Sequence, residues 1–135
     1  MQAFPLTALA TLVAVIVLFW MGMGVAGARR KFNVPVPATT GDPQFERYFR
    51  VQMNTLEWMP IFLPSLWLCA MSWGDVIAAG IGGVWSLGRV MYALGYVREP
   101  KLRGAGFTIQ ALAALALWAG SLAGVARVLL AAYLT

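Results

Sequence analysis

The chain has few charged residues and no histidine. Charged residues make up only 11% of its 135 residues, whereas 61% are hydrophobic. Soluble domains usually carry about a quarter of their residues as charges. The composition therefore predicts one integral membrane domain over residues 1–135. Without histidine a serine–histidine triad is excluded, and a zinc site or a histidine-ligated haem is disfavoured, so we expect no metal.

Cysteine is almost absent as well. The single Cys69 lies inside an apolar run, and one cysteine cannot form an intrachain disulfide or indicate a redox compartment. A packing role is favoured over a catalytic one. The net charge of +5 is typical of membrane topology here, because the basic residues lie in short loops between apolar segments. We therefore expect no nucleic-acid partner.

Four apolar segments predict an all-α bundle of four transmembrane helices at about residues 4–28, 44–73, 75–97 and 104–131. The first is uncharged and long enough to cross about 30 Å of hydrocarbon at about 1.5 Å per residue. A signal peptide is the alternative, since "AGA" at residues 26–28 resembles a cleavage site. The segment lacks a basic start and further membrane segments follow, which favours a retained helix.

The basic residues predict the orientation of the helices. Eight of the ten Lys and Arg residues lie in the first and third loops, and the second loop has none. By the positive-inside tendency, these two loops are cytoplasmic and both termini lie on the opposite side. The eight residues are Arg29, Arg30, Lys31, Arg47, Arg50, Arg98, Lys101 and Arg103.

Polar residues recur along the second and third predicted helices at spacings of three and four, which places each set on one helix face. The second helix carries Arg47, Arg50, Asn54 and Glu57, with Trp58 beside them, and the third carries Arg89, Tyr92 and Tyr96, followed by Arg103. A charge within a bilayer costs about 2.5 to 3.5 kcal/mol. Glu57 and Arg89 could simply pair with each other, but a pair does not account for the other polar groups at the same membrane face.

These side chains together suit a small, mainly anionic ligand. Arginines bind carboxylates bidentately, Glu57 could bind an ammonium group, and amides and phenols could bind peptide groups. We expect the ligand to enter from the cytoplasm, beside a lipid-facing slot that could hold an apolar second molecule.

The stretch "FERYFRVQMNTLEWMPIFLPSLW" resembles the MAPEG family, the membrane-associated proteins in eicosanoid and glutathione metabolism. It is preceded by "ARRKF" and "TTGDP" and followed by "GRVMYALGY" and "KLR". The ordered pattern ERxxRxQxNxxE is the most specific part. The resemblance is detailed over residues 28–103 and is closest to the branch of microsomal glutathione transferases and the leukotriene-forming synthase.

The resemblance implies a left-handed four-helix bundle that assembles as a homotrimer and binds glutathione between subunits near the cytoplasmic face. Positions that hold glutathione in the family correspond to Arg50, Asn54, Glu57, Tyr92, Tyr96 and Arg103. Positions that the neighbouring subunit contributes in the family correspond to Arg29, Arg30 and Gln52. Trp58 stands where the leukotriene-forming synthase has a tyrosine that contacts glutathione. We add Arg89, from the third-helix stripe, to the expected binding residues.

The activity implied is that of a membrane-bound glutathione-dependent transferase, a peroxidase or both, acting on lipophilic electrophiles or lipid hydroperoxides in membrane lipid. Arg103 corresponds to the family's thiol-activating arginine, and Arg30 is the second catalytic candidate. An arginine stays charged at neutral pH, so its role would be to stabilise the glutathione thiolate rather than to act as a base. The alternatives are a non-catalytic lipid-binding scaffold of the same fold and a small transporter or channel subunit.

Overall fold

The computed structural model describes residues 3–133, which fold into four α-helices with short connections. Helix α1 covers Pro5–Lys31, α2 Pro43–Trp73, α3 Asp75–Arg98 and α4 Gly104–Tyr133, and a 3₁₀ turn at Pro100–Arg103 leads into α4. The predicted all-α, four-helix architecture is confirmed. Helix α1 ends three residues later than predicted, because it continues through Arg29 and Arg30 to Lys31. Cations are favourable at a helix C-terminus, where the backbone dipole is negative.

The helices have the lengths that a membrane requires. Among the described residues, α1, α3 and the segment Pro100–Tyr133 are long and apolar enough to cross a bilayer. Helix α2 has 31 residues, about 46 Å at about 1.5 Å per residue, and carries its charges in its first half. Because α2 packs against each of the other three helices, it completes the bundle.

Large apolar side chains both fill the bundle and cover its outside. Phe62 of α2 and Trp85 of α3 are fully buried and stack with ring centroids 3.9 Å apart. Cys69 is buried in the same apolar core, in line with its expected packing role. On the outer face of α1, Leu12 and Ile16 are 60% and 65% exposed. Such a surface suits contact with lipid rather than water.

Two side-chain carboxylates fix helix starts. Asp42 precedes α2 and its Oδ1 accepts the backbone N–H of Gln44 at 2.7 Å, as an N-cap residue does. Asp75 begins α3 and reaches across to α1, where its two oxygens accept the N–H groups of Leu6 at 2.9 Å and Thr7 at 2.7 Å. The unpaired amides at the start of α1 are therefore satisfied by the turn between α2 and α3.

Helices α3 and α4 approach closely because small residues lie between them. A methyl group added at Gly106 would overlap the backbone of Tyr92, and one added at Gly88 would lie 2.7 Å from the backbone nitrogen of Gln110. Backbone-to-backbone contact of this kind is common between membrane helices. It brings Tyr92 of α3 against the first turns of α4.

Candidate functional site

The polar residues predicted on α2 and α3 gather at the end of the bundle where α1 and α3 finish and where α2 and α4 begin. We call this the basic end, because eight of the basic residues lie there. Direct contacts connect the polar side chains on the side formed by α2, α3 and the start of α4. This polar cluster consists of Arg50, Asn54, Glu57, Arg89, Tyr92, Tyr96 and Arg103.

Arg89 is the innermost member of the polar cluster and is fully buried. Its Nε and Nη2 donate to Thr55 Oγ1 at 3.2 and 2.6 Å, and its Nη2 also donates to Asn54 Oδ1 at 3.0 Å. The guanidinium carbon lies 4.4 Å from the ring centroid of Tyr92, within the range of a cation–π contact. Arg89 is therefore held by neutral acceptors and by an aromatic face.

The alternative in which Glu57 and Arg89 pair with each other is wrong. Glu57 instead lies 3.7 Å from Arg50, and these two side chains are 52% and 56% exposed. They are seven positions apart in the sequence, which places them two turns apart on the same face of α2. The ion pair is thus at the exposed mouth of the polar cluster, where ion pairs contribute little to stability.

An aromatic wall adjoins the polar cluster on the α4 side. Phe107 lies with its ring centroid 6.1 Å from that of Tyr92 and 6.0 Å from that of Trp58, which meets it edge-on. Trp58 thus packs against the side of α4. Sequence reasoning missed both Phe107 and Thr55, because an apolar ring and a neutral hydroxyl among membrane-helix residues carry no distinguishing signal.

Arg103 lies at the last position of the 3₁₀ turn, directly before α4. It is exposed, and its guanidinium carbon lies 5.7 Å from the ring centroid of Tyr96. No carboxylate in residues 3–133 forms an ion pair with it. Arg103 therefore presents an unneutralised positive charge at the mouth of the polar cluster.

Arg47 departs from the stripe that its spacing predicted. Its Nη1 donates to the carbonyl oxygens of Val97 at 3.4 Å and Arg98 at 3.0 Å, and Gln44 Nε2 donates to Val97 O at 2.8 Å. These bonds satisfy carbonyls that have no partner within the last turn of α3. The start of α2 thereby fixes the end of α3. The turn that carries Arg103 follows directly after that end.

The three residues expected from across a subunit boundary lie away from the polar cluster. Arg29 Nη1 donates to the carbonyls of Val34, Pro35 and Ala38, the shortest bond being 2.7 Å. Its guanidinium carbon also lies 4.8 Å from the Phe45 ring centroid, so Arg29 braces the connection between α1 and α2.

Arg30 and Gln52 lie on the α1 side as well. Arg30 is exposed, and a methyl group added at Gly22 of α1 would lie 3.3 Å from Gln52 Nε2. Two positions along α2 correspond to a rotation of about 200°, which separates Gln52 from Asn54. Within one chain, these residues and the polar cluster occupy different faces, and a site that used both would need a second copy. No group of metal-ligating side chains occurs in the described part of the chain.

The fold and the site define a class: an all-α integral membrane protein with an arginine-rich polar cluster at one end of its bundle. A family model described as "MAPEG family" matches residues 7–123. The chain belongs to the MAPEG family.

Several curated relatives are similar to this chain. An uncharacterised protein of Synechocystis, sll1147, is 44% identical over 87% of this chain and 82% of its own length. Mouse leukotriene C4 synthase is 40% identical over 73% of this chain and 65% of its own length. Human microsomal glutathione S-transferase 2 is 40% identical over 67% of this chain and 61% of its own length. The matched region is thus slightly less than two thirds of each mammalian relative.

Proposed function

We propose that the protein is a membrane-bound glutathione S-transferase, which could also reduce lipid hydroperoxides with the same thiolate. Membership of the MAPEG family and the names of the two mammalian relatives support this class of activity. The observation that carries the proposal is the connected polar cluster, which combines two exposed cations, Arg50 and Arg103, with one carboxylate at the basic end of the bundle. Glutathione has the complementary groups: two carboxylates, one ammonium and two amides.

In this proposal the Arg50–Glu57 pair opens when glutathione binds. Arg50 then binds a glutathione carboxylate bidentately, and Glu57 accepts the ammonium group. Tyr96 and Asn54, whose Nδ2 donates to Glu57 Oε2 at 3.5 Å before the pair opens, supply hydrogen bonds to the amides. Arg89 and Tyr92 form the inner wall of the site. The buried Arg89 cation adds positive potential there without contacting the ligand directly.

The positive charge of Arg103 would activate the thiol. A free thiol has a pKa of about 8.5, so only a small fraction is thiolate at neutral pH. A guanidinium beside the sulfur favours the anion by its charge and by hydrogen bonding. The thiol proton leaves to solvent, while Arg103 remains charged throughout and stabilises the thiolate.

The thiolate would then react in one of two ways. With a lipophilic electrophile, sulfur forms a bond to carbon while the bond from that carbon to its leaving atom breaks, and the leaving anion takes a proton from water. With a lipid hydroperoxide, sulfur bonds to the terminal oxygen while the oxygen–oxygen bond breaks, and the released alkoxide takes a proton from water to become the alcohol. A second glutathione then converts the resulting sulfenic acid to glutathione disulfide and water. The aromatic wall of Trp58 and Phe107 offers an apolar surface for the substrate.

The remaining predicted residues enter this proposal through a neighbouring subunit. In a homotrimer, Arg29, Arg30 and Gln52 of one chain would face the polar cluster of the next, with Arg30 as a second cation near the reacting atoms. The separation of the two groups within one chain supports such a shared site. We also propose, from the distribution of basic residues, that the basic end is cytoplasmic.

The test is the ultraviolet absorbance of glutathione thiolate on purified, detergent-solubilised protein at neutral pH. We expect a saturable thiolate signal that is lost in Arg103→Ala and retained in Arg127→Ala, which removes an arginine from the opposite end of the bundle. Calorimetry measures glutathione binding in parallel. Binding without thiolate in the wild type would favour a non-catalytic lipid-binding scaffold, and the absence of both would refute the proposal.

A further inference from the structure

A groove that the polar cluster does not use opens between α1 and α3 at the basic end. It has a volume of about 350 Å³, and its apolar walls include Trp20 and Met21 of α1 and Leu94 and Val97 of α3. Trp20 and Leu94 are 43% and 59% exposed. Such a volume lies within the range of about 300 to 1,000 Å³ that is common for small-molecule sites. The groove is therefore large enough to hold part of an elongated apolar molecule.

The groove continues towards the rim of the bundle. A second cavity of about 380 Å³ shares Gly24, Gln44 and Tyr48 with the first and extends to Lys31 at the end of α1. The first cavity reaches Arg98 at the end of α3. Together they form a path from an apolar inner part to a mouth at the rim, where Arg98 lines the first cavity and Lys31 lines the second. We call this path the α1–α3 groove.

The α1–α3 groove is distinct from the polar cluster. Leu94 and Val97 line the groove, whereas Tyr92 and Tyr96 of the same helix belong to the cluster. Positions 92 and 94 differ by about 200° around a helix, so the two sites use opposite faces of α3. None of the seven cluster residues lines either cavity of the groove.

The chemistry of the mouth indicates an anion. Lys31 and Arg98 supply positive charge, and the hydroxyl of Tyr48, which lines both cavities, can donate a hydrogen bond. No Asp or Glu lines either cavity, so neither cation is neutralised inside the groove. The apolar inner part adjoins them directly. The complementary ligand carries an anionic group at one end and a hydrocarbon chain at the other.

We propose that the α1–α3 groove binds an anionic phospholipid. Its phosphate-containing headgroup lies at Lys31 and Arg98, and one acyl chain runs inwards along Trp20 and Leu94. The groove belongs to a chain that crosses the membrane, where such lipids are the abundant molecules of this shape. Basic pockets between membrane helices are known to bind anionic headgroups, and each Lys or Arg near an anionic membrane surface contributes roughly a fivefold gain in affinity.

Native mass spectrometry of the full-length protein in a mild detergent tests the proposal. Phosphatidylglycerol and phosphatidylcholine with identical chains are supplied in competition. We expect preferential retention of phosphatidylglycerol, and a preference roughly five times smaller in Lys31→Gln and in Arg98→Gln. The double variant should show about a 25-fold smaller preference. Lys101→Gln is the matched control, because Lys101 is an exposed cation at the same end that lines neither cavity.

Three results would overturn the proposal. Equal retention of the two lipids would show that the groove does not select an anion. If Lys101→Gln reduced the preference for phosphatidylglycerol as much as Lys31→Gln does, the preference would come from general attraction of anions to the basic end. Displacement of phosphatidylglycerol by an equal concentration of glycerophosphate, which has no acyl chain, would show a phosphate site without a lipid groove. The single variants each change one exposed side chain, so their folding can be verified by an unchanged melting temperature without added lipid.

Discussion

The hydroxyl of Thr55 accepts two hydrogen bonds from the fully buried guanidinium of Arg89, at 2.6 Å from Nη2 and 3.2 Å from Nε. The same hydroxyl donates to the carbonyl of Val51 at 2.9 Å. A hydroxyl has one proton and two lone pairs, so all of its hydrogen-bonding capacity is used. A neutral side chain on α2 thereby holds a cation of α3 inside the bundle.

Replacing Thr55 by valine should destabilise the protein by about 3 kcal/mol, because a buried cation loses two charge-assisted hydrogen bonds. Thr55→Ser retains the hydroxyl and should lose only about 1 kcal/mol for the missing methyl group. The measurement is equilibrium unfolding in mixed micelles with increasing sodium dodecyl sulfate. Equal stabilities of the two variants would contradict the role of the hydroxyl.

Glu57→Gln should weaken glutathione binding while leaving the stability of the fold nearly unchanged. Glu57 and Arg50 are both about half exposed, so their pair contributes less than about 1 kcal/mol to folding. Loss of the carboxylate should nevertheless weaken glutathione binding by about tenfold, because a charged hydrogen bond to the ammonium group disappears. Calorimetry measures this change. A glutathione analogue without the amino group provides the control, since it should bind the wild type and Glu57→Gln with similar affinity.

Arg47→Ala tests whether the end of α3 positions Arg103. Arg47 holds the carbonyls of Val97 and Arg98, and the 3₁₀ turn that follows begins with a bond from Leu102 N to Glu99 O of 2.9 Å. We expect the thiolate absorbance per bound glutathione to fall, because a displaced guanidinium stabilises the anion less, and turnover to fall about tenfold or more, since a misplacement of about 1 Å can cost a factor of about 100 in rate. Arg47→Lys keeps one donor and should recover part of the signal.

A structural role alone would give another result for Arg47. Destabilised protein would bind less glutathione in total, but each bound molecule would show the wild-type thiolate signal at saturation. An unchanged signal per bound glutathione in Arg47→Ala would therefore exclude the positioning role and leave the function of Arg103 untouched.

Gly106→Ala should destabilise the protein by several kcal/mol, because the added methyl would overlap the backbone of Tyr92 and force α3 and α4 apart. Gly83→Ala is the matched control on α3, since no atom outside the adjoining backbone of its own helix lies within 4 Å of the added methyl. That variant should unfold at the same detergent concentration as the wild type or slightly above it. The prediction fails if Gly106→Ala and Gly83→Ala unfold at the same detergent concentration.

The helices can be predicted from composition, because uncharged apolar runs of about 20 residues are typical of membrane-spanning helices. Their ends are harder to predict. An apolar run that stops before Arg29 and Arg30 indicates a loop at these residues, yet basic residues are favourable in the last helical turn. Apolar composition therefore marks where α1 leaves the apolar layer, and the helix itself extends beyond that point.

Within the site, periodicity can predict which residues share a face, but not what each of them contacts. The spacing groups Arg47 with Arg50, although Arg47 bonds to the end of α3. It also leaves Glu57 as a partner for Arg89, although Thr55 takes that place. These partners depend on how far α2 and α3 slide and rotate against each other. That relation is set by packing between helices, and no pattern within one helix encodes it.

The cap that Asp75 places on α1 bears on how the protein is made. Leu6 and Thr7 leave the ribosome 69 and 68 residues before the carboxylate that accepts their amides. The first helix is therefore made before this partner exists, and the contact can close only after the whole of α2 has been synthesised. This bond between the starts of α1 and α3 thus forms late in biosynthesis, when the chain has already turned back for its third crossing.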